Sequence, residues 1–546
     1  MREGDNYYNL DHQRNPWQQQ QQYPMESQYQ QGAPPPQQQQ QQHDYYNAPP
    51  NGGYPQQPTY GAPPPYSYNP PQPNDEKYSF DEAFKIEKPR YNDWWAGLLL
   101  IGVFIGFIVI SAITIRSYAT TGNTGNGIYG GSNNFSLDAN TIILFAFVLV
   151  VAFVLSWLYV LVARLFPKQF IWVTGILNVC WALGTAIFYL YRRYWSAGIV
   201  FLIFACFTAF AFWTWIPRIP FSALMLKTTI SVSKRYGHVY LVSVIGGFVA
   251  TALAAWFSVT LVAIYVKYEP SQNNPECRSG NCSRAKVIGL IVYVTFAMYW
   301  ISEWVKNTIH TTISGVYGSW YFAVHNFPRG ATRGAAKRAL TYSFGSISLG
   351  SLLVAIVQFL RQLCSVAQSQ AGDSGGIGGI IGYILFCILG CFISLLEWAL
   401  QFLNRYAFSH IALYGKPYIP AAKDTWHMIR DRGIDALVNE CLIGPVLSFG
   451  SMAVAFACAL LSYLYLLFTK PAYNSDGTFT AVIMAFSFLI GFQIALIFTT
   501  PLSSGIDTIF VGAGWDPQVM INDHPELYQE MVHLYPKVQQ AIQVRR

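Results

Sequence analysis

Four ionisable or amide side chains interrupt one of the most apolar parts of the chain. Glu303, Lys306, Asn307 and His310 recur at intervals of three and four residues, so in a helix they share one face. Charged groups inside a membrane are costly, and they usually face a water-filled cavity or pair with each other. The spacing supports two interpretations: a substrate or proton pathway through a bundle, or a Glu303–Lys306 pair near a helix end, with the lysine reaching the interface.

A second carboxylate, Glu397, stands beside Trp398 in another long apolar run. Asn404 and Arg405 follow about two helical turns later. An isolated acid in such a run is either a functional carboxylate that attracts a cation or a capping group close to the membrane interface. The sequence leaves both interpretations open.

Tryptophans accompany these acids. Trp300 and Trp304 flank Glu303, and Trp320 follows in the same stretch. Quaternary ammonium ions cannot donate hydrogen bonds and are held by ring faces, often beside a carboxylate. We therefore predict substrate-binding candidates at Trp300, Glu303, Trp304, Trp320 and Glu397. The alternative is that these rings are interface anchors, because Trp and Tyr gather at both membrane surfaces.

Long apolar segments would have to position these side chains. A helix needs roughly 20 apolar residues to cross a hydrocarbon core of about 30 Å. Ten segments of this kind occur, and they lack the alternation expected of a membrane barrel. We predict an all-α, polytopic membrane protein with about ten transmembrane helices, at 95–115, 141–163, 170–191, 196–216, 239–266, 287–310, 340–362, 377–402, 443–468 and 479–500.

Charge is scarce in this chain and unevenly placed. Charged residues make up 11% of 546 residues, with a net charge of +7, against about 25% charged residues in soluble domains. This composition excludes a soluble enzyme of ordinary make-up. With the first residues placed in the cytosol, inner loops carry fifteen Lys and Arg and outer loops eight. The bias predicts that both termini are cytosolic and that the positive charge faces anionic lipid, not nucleic acid.

The composition divides the chain into three regions. Residues 1–93 are rich in Gln, Pro and Tyr and have too few apolar residues to fold, which predicts a disordered cytosolic tail. Residues 94–500 form the predicted ten-helix transmembrane domain. Residues 501–546 form a predicted cytosolic C-terminal tail.

The N-terminal tail contains one recognisable peptide motif. Pro63, Pro64 and Tyr66 fit the Pro-Pro-x-Tyr ligand of WW domains, which bind preformed polyproline conformations. The motif predicts recruitment of a WW-domain ubiquitin ligase. The alternative is a chance match in a tract rich in Pro and Tyr.

Two loops assigned to the outside carry modification signals. Asn134 and Asn281 begin Asn-x-Ser triplets, the acceptor pattern for glycosylation. Cys277 and Cys282 share the second of these loops, where an oxidising environment permits a disulfide. We therefore predict a glycoprotein and name this cysteine pair as a candidate disulfide.

Sequence signals of catalysis are missing. No metal-ligand cluster, phosphate loop or nucleophile elbow occurs with its supporting context. We therefore predict a protein that is not an enzyme and that needs no cofactor or metal.

Several segments resemble the choline transporter-like family across roughly residues 94–530. The most specific is at 404–407, continuing through 411–415, and supporting similarity occurs at 299–300, 344–351 and 507–510. The segment 79–84 is similar to the fungal branch of that family, the pH nine-sensitive proteins. The resemblance implies ten membrane helices with both ends in the cytosol and transport of choline or a related amine without ATP hydrolysis. Glu397 matches the family pattern.

These observations lead to one functional expectation and one alternative. We expect a multi-pass plasma-membrane transporter or facilitator for a small organic cation, working by alternating access near the bilayer midplane. The alternative is a membrane scaffold or signalling protein that transports nothing and recruits partners through its N-terminal tail. A cavity lined by Glu303 or Glu397 would favour the transporter, and a dry bundle with both acids paired would favour the scaffold.

Overall fold

The computed structural model describes residues 90–121, 139–236, 238–268, 282–325, 327–373, 376–432, 438, 441–470, 474, 477 and 480–542. In these ranges the chain is helical and contains no strand. The predicted sites at Pro63, Pro64, Tyr66, Asn134, Cys277 and Asn281 lie outside the described residues.

Ten of the described helical segments are long and apolar enough to cross a membrane. Each of the ten predicted segments overlaps one of them over most of its length, so the all-α, ten-span prediction is confirmed. The helices are α1 (Trp94–Thr121), α2 (Ala139–Leu165), α3 (Pro167–Tyr191), α4 (Trp195–Trp215), α6 (His238–Tyr268), α7 (Arg284–Phe322), α9 (Phe344–Asp373), α10 (Gly376–Tyr414), α12 (Ile443–Thr469) and α13 (Thr480–Trp515).

Shorter helices connect or follow the spanning ones. A 3-10 turn over Ile216–Arg218 joins α4 to a more polar helix that continues it. The shorter helices are α5 (Ile219–Arg235), α8 (Ala331–Leu340), α11 (Tyr418–Arg432), α14 (Pro517–Asp523), α15 (Pro525–Leu534) and α16 (Lys537–Ile542).

Two helices are longer than the apolar segments predicted. Helix α7 runs without a break from Arg284 to Phe322, so the stretch after residue 310 continues the sixth span. Helix α13 continues to Trp515, past the predicted boundary at residue 500. Its last part is buried despite Ser504, Asp507 and Thr508. Other helices supply partners for Ser504 and Asp507, and Thr508 donates to the Ser504 carbonyl within α13.

Helix α7 is the centre of the bundle. It packs against α1, α6, α9, α10 and α13, and most of its second half is buried. Helix α4 packs mainly against α3, at the edge of the bundle. Large apolar side chains are exposed on α3, α4 and the first part of α10, a surface suited to lipid and not to water: Trp181, Ile187, Phe204, Phe207, Ile380, Leu385 and Phe392.

The two described ends of the chain lie at the same end of the bundle. Asn92 Nδ2 donates to the Gly415 carbonyl at 2.7 Å. The Asp93 carboxylate accepts bonds from Ser346 Oγ at 2.6 Å and from the Tyr418 N–H at 2.8 Å. Asp93 has a positive φ of 48°, a conformation that costs energy for a residue with a side chain. These bonds offset that cost and attach the start of α1 to the corner where α9 begins and α10 ends.

The C-terminal helices pack against this same end. Tyr321, near the end of α7, donates from its hydroxyl to the Asp516 carbonyl at 3.0 Å. His524 Nε2 donates to the Tyr321 carbonyl at 2.9 Å. Met520 and Met531 are fully buried in the core. The segment after α13 is therefore folded onto the bundle through residue 542.

Candidate functional site

Glu303 lies halfway along α7 and is 7% exposed. Lys306 Nζ, one turn later, is 3.2 Å from each carboxylate oxygen. Gln358 Nε2 of α9 donates to Glu303 Oε1 at 3.0 Å. The acid thus has an ionic partner on its own helix and an amide partner on the next.

Glu397 occupies the corresponding position on α10 and is 8% exposed. Arg361 Nε of α9 is 3.0 Å from its Oε2. Gln401 Nε2 of α10 donates to its Oε1 at 3.2 Å. Glu397 is therefore a buried, paired carboxylate, as Glu303 is.

Helix α9 contributes a partner to each acid. Gln358 and Arg361 are three residues apart, so they project from the same face of α9. We call Glu303, Gln358, Arg361, Glu397 and Lys306 the carboxylate layer. It joins α7, α9 and α10 near the middle of each helix.

The positive and negative members of the carboxylate layer differ in burial. The side chains of Lys306 and Arg361 are 49% and 51% exposed, whereas those of Glu303 and Glu397 are 9% and 10% exposed. Lys306 therefore lies at the flank of the face shared by Glu303, Asn307 and His310, all three of which are buried. The acids point inward and their cations sit at the rim of the layer. A cation arriving from the rim could compete for either acid.

A second polar network surrounds His310, two turns beyond Glu303. His310 Nε2 is 2.8 Å from the carbonyl oxygen of Arg405 on α10, and Nδ1 is 2.7 Å from Ser504 Oγ on α13. A carbonyl oxygen only accepts, so Nε2 carries a hydrogen, and in the neutral ring Nδ1 accepts from Ser504. Ser409 Oγ lies 3.1 Å from Nε2 and 3.2 Å from Ser314 Oγ. This network ties α7, α10 and α13 together.

An ion pair lies beside this histidine. Arg405 Nε donates to Asp507 Oδ2 at 3.0 Å, and its second nitrogen bonds the other carboxylate oxygen. The two-point geometry fixes the relative orientation of α10 and α13. Asn404 is the residue before Arg405, and its Nδ2 donates to the Gly350 carbonyl of α9 at 3.0 Å. The segment of the specific 404–407 motif therefore supplies contacts between helices.

The three predicted tryptophans occupy different environments. Trp300 is buried and its Nε1 donates to the Ser348 carbonyl of α9 at 3.0 Å. Trp304 packs edge-on against Phe344, and its buried Nε1 has no hydrogen-bond partner among the described residues. Trp320 contacts the His524 ring at 4.3 Å, about 25 Å along α7 from Glu303. Only Trp300 and Trp304 are near the carboxylate layer.

Arg361 was missed by reasoning from the sequence, although a signal for it existed. It lies inside the predicted span at 340–362, and an arginine there is as unusual as Glu397 in its own span. Pairing Arg361 with Glu397 would have predicted that α9 packs against α10. The Arg405–Asp507 pair offered no comparable signal, because Asp507 lies beyond the predicted end of the tenth span.

Cys282 is disulfide-bonded. Its candidate partner, Cys277, lies outside the described residues. The disulfide would close a short loop between α6 and α7, at the end of the bundle opposite Asp93.

Known proteins match most of this chain. A family model described as plasma-membrane choline transporter matches residues 199–518. Protein PNS1 of Gibberella zeae is 71% identical over 471 residues, which cover 86% of this chain and 87% of that protein. The chain belongs to the choline transporter-like family.

Further fungal members of the family align over similar lengths. Protein pns1 of Aspergillus fumigatus is 61% identical over 508 residues, covering 92% of this chain and 94% of that protein. Protein PNS1 of Saccharomyces cerevisiae is 45% identical over 469 residues, covering 84% and 87%. The resemblance to the fungal branch is confirmed.

The family match contains the whole carboxylate layer and the His310 network. Helices α5 to α13 fall entirely within it, and α4 begins just before it. The choline transporter-like proteins are a transporter family, so the described polar residues belong to a membrane transporter bundle.

Proposed function

We propose that this protein is a plasma-membrane transporter or facilitator that moves choline or a related organic cation by alternating access, without ATP hydrolysis. The observation that carries the proposal is the carboxylate layer. Two buried acids, Glu303 and Glu397, face the same stretch of α9 near the middle of the bundle. Transporters place substrate sites near the midplane between helices.

The layer suits a cation because its own positive groups can be displaced. Lys306 and Arg361 have long side chains that are about half exposed. A buried acid must keep a counter-charge, and an arriving cation would supply it as Lys306 or Arg361 moved aside. A substrate cation entering between α7 and α10 would take their place beside the buried acids, and Trp300 and Trp304 line the same part of α7.

Orientation in this proposal follows the distribution of Lys and Arg. The end of the bundle that carries Asp93, α8, α11 and the C-terminal helices has the larger share of positive residues. The positive-inside rule assigns that end to the cytosol. Both termini are then cytosolic, and the loop that contains Cys282 is outside.

The test is uptake of labelled choline by vesicles that contain only the purified full-length protein. We expect saturable uptake that falls at least about tenfold in Glu303→Gln or Glu397→Gln. Arg192→Gln, at an exposed turn between α3 and α4, is the control for loss of a charged side chain outside the carboxylate layer and should retain uptake. Absence of saturable uptake of choline and of other organic cations by the parent protein would contradict the proposal.

A second candidate, a scaffold that transports nothing, has two observations in its favour. Both acids already have partners in the structure. In addition, one surface hollow between α3, α4 and α12 is lined by Asn178, Phe212 and Val446, and another beside α1 by Trp95 and Tyr293, without either acid. The uptake measurement separates the two candidates directly.

A further inference from the structure

A lysine ammonium group lies where α10 and α13 end. Lys416 stands two residues after Tyr414, the last residue of α10, and its Nζ lies 2.6 Å from Asp424 Oδ2 of α11. The same Nζ sits 4.7 Å from the centre of the Trp515 ring, the last residue of α13. An ammonium group therefore rests between a ring face and a carboxylate.

The neighbouring rings extend this arrangement. The Tyr414 ring lies 6.2 Å from the Trp515 ring, and the His410 ring lies 4.9 Å from it. The Tyr414 hydroxyl donates to Asp516 Oδ2 at 2.8 Å, so its ring orientation is defined. We call Tyr414, Trp515, Asp424 and His410 the ring-and-acid site. The Trp515 face beside the Asp424 carboxylate is the combination of ring face and acid that suits a quaternary ammonium ion.

One side chain of this site, His410, has polar atoms without a hydrogen-bond partner among the described residues. His410 is fully buried, and neither ring nitrogen makes a hydrogen bond in the described structure. Its Nε2 lies 3.6 Å from Asp424 Oδ2. The nearby His410 ring, together with Lys416, lowers the pKa of Asp424 to about 2, so this carboxylate is charged at neutral pH.

The site lies at the end of a polar seam between α10 and α13. The Arg405–Asp507 pair and the His310 network occupy the same two helices. Arg405 precedes Tyr414 by about 13 Å along α10, and Asp507 precedes Trp515 by about 12 Å along α13. Glu397 precedes Arg405 by about 12 Å along α10 and is therefore further from Tyr414.

We propose that the ring-and-acid site is a second binding site for the transported organic cation, a quaternary ammonium, and that Lys416 occupies it when substrate is absent. This inference rests on the proposed transport function. The Lys416 side chain is 36% exposed and has a flexible four-carbon stem, so it can turn into water. A quaternary ammonium lacks N–H donors and is weakly hydrated, so it gains more from the Trp515 face than a lysine does.

The test measures binding of tetramethylammonium by calorimetry, using the full-length protein in lipid nanodiscs. Lys416→Gln removes the internal competitor, and we expect the dissociation constant to fall at least about tenfold. Lys423→Gln is the matched control, an exposed lysine of α11, and should bind like the parent. Adding Trp515→Leu to the Lys416 variant should abolish the gain, whereas Trp515→Phe, which keeps a ring, should retain part of it.

Two results would overturn the inference. One is unchanged tetramethylammonium affinity in Lys416→Gln. The other is a gain that survives Trp515→Leu in a variant whose thermal unfolding is normal, since the bare Asp424 charge would then explain it. Choline uptake by the parent is measured separately. Saturable uptake without a binding change in Lys416→Gln would leave the proposed function intact and contradict the second site. Ring-dependent binding without uptake would support a cation site and contradict the transport function.

Discussion

Arg361 and Glu397 form an ion pair with unequal burial, and this inequality predicts unequal effects of mutation. Arg361→Gln leaves a buried carboxylate without its counter-charge, which costs about 1 to 3 kcal/mol. Glu397→Gln leaves an arginine that is 51% exposed and whose long side chain can extend towards the membrane interface, so it should cost less. We expect Arg361→Gln to lower the thermal unfolding temperature more than Glu397→Gln does, as measured by intrinsic fluorescence in nanodiscs.

The double variant completes this comparison. With Arg361 and Glu397 both replaced by Gln, no unpaired charge remains, so the double variant should be more stable than Arg361→Gln alone. Arg192→Gln again serves as the control for charge loss. Equal effects of the two single changes would show that the pair is not asymmetric in the membrane.

At the scale of elements, two glycines on neighbouring helices predict different tolerance for a methyl group. A Cβ at Gly345, at the start of α9, would collide with the backbone carbonyl oxygens of Asn92 and Asp93. Backbone cannot move aside as a side chain does, so Gly345→Ala should destabilise the protein by about 1 to 3 kcal/mol. Gly102 of α1 has nothing within 4 Å of an added Cβ, so Gly102→Ala should be nearly neutral. Thermal unfolding of both variants measures this, and equal stability would contradict the close contact.

The docking of α14 and α15 onto α7 should depend on pH. His524 is buried between Trp320 and Tyr321, with Asp523 and His325 nearby. Burial lowers the pKa of His524, because it disfavours the charged imidazolium, although the bond to the Tyr321 carbonyl and Asp523 oppose this. Below the usual histidine value of about 6.5, the undocked segment binds a proton that the docked one does not. Docking therefore weakens as pH falls from about 6.5 towards the lowered pKa.

Hydrogen exchange of residues 517–542 measures this docking. We expect faster exchange at about pH 5.5 than at about pH 7.5, after correction for the intrinsic pH dependence of exchange. His524→Gln keeps an N–H donor for Tyr321 but has no charged form, so its docking should lose the pH dependence. A pH response that persists in this variant would assign the effect to another group.

At the scale of the whole molecule, the first and last described residues lie at the same end of the bundle. This topology predicts the pattern of glycosylation. In the sequence Asn134 follows α1 and Asn281 precedes α7, and we propose from the distribution of positive charge that these helix ends face the outside. Asn134→Gln and Asn281→Gln should each remove one glycosidase-sensitive shift in gel mobility. An Asn-x-Ser sequon appended after Arg546 should remain unmodified, and its glycosylation would contradict the assigned orientation.

Hydrophobic length was sufficient to predict the ten spans, because each span is a local property of about twenty residues. It failed at the end of α13, where Ser504 and Asp507 interrupt the apolar pattern. Those groups are tolerated because His310 and Arg405 bind them, and contacts between helices cannot be read from a local window.

The candidate site was predicted in part. Helical spacing placed Glu303, Asn307 and His310 on one buried face, and an isolated charge singled out Glu397. Spacing could not reveal that Gln358 and Arg361 of α9 complete the carboxylate layer. It also grouped Trp320 with Glu303, because membership of one helix says nothing about distance along it.

The Asp93 attachment has a mechanical consequence. The tail joins the bundle at a residue held by Ser346 and by the Tyr418 N–H, with Asn92 held by Gly415. A pull on the tail, from a tether or a bound partner, is therefore borne first by these hydrogen bonds and not by the lipid-facing side chains of α1. The load passes to the start of α9 and to the α10–α11 turn, immediately beside Lys416. A truncation or fusion that ends before Asn92 preserves this anchor, whereas one that removes Asp93 releases the corner.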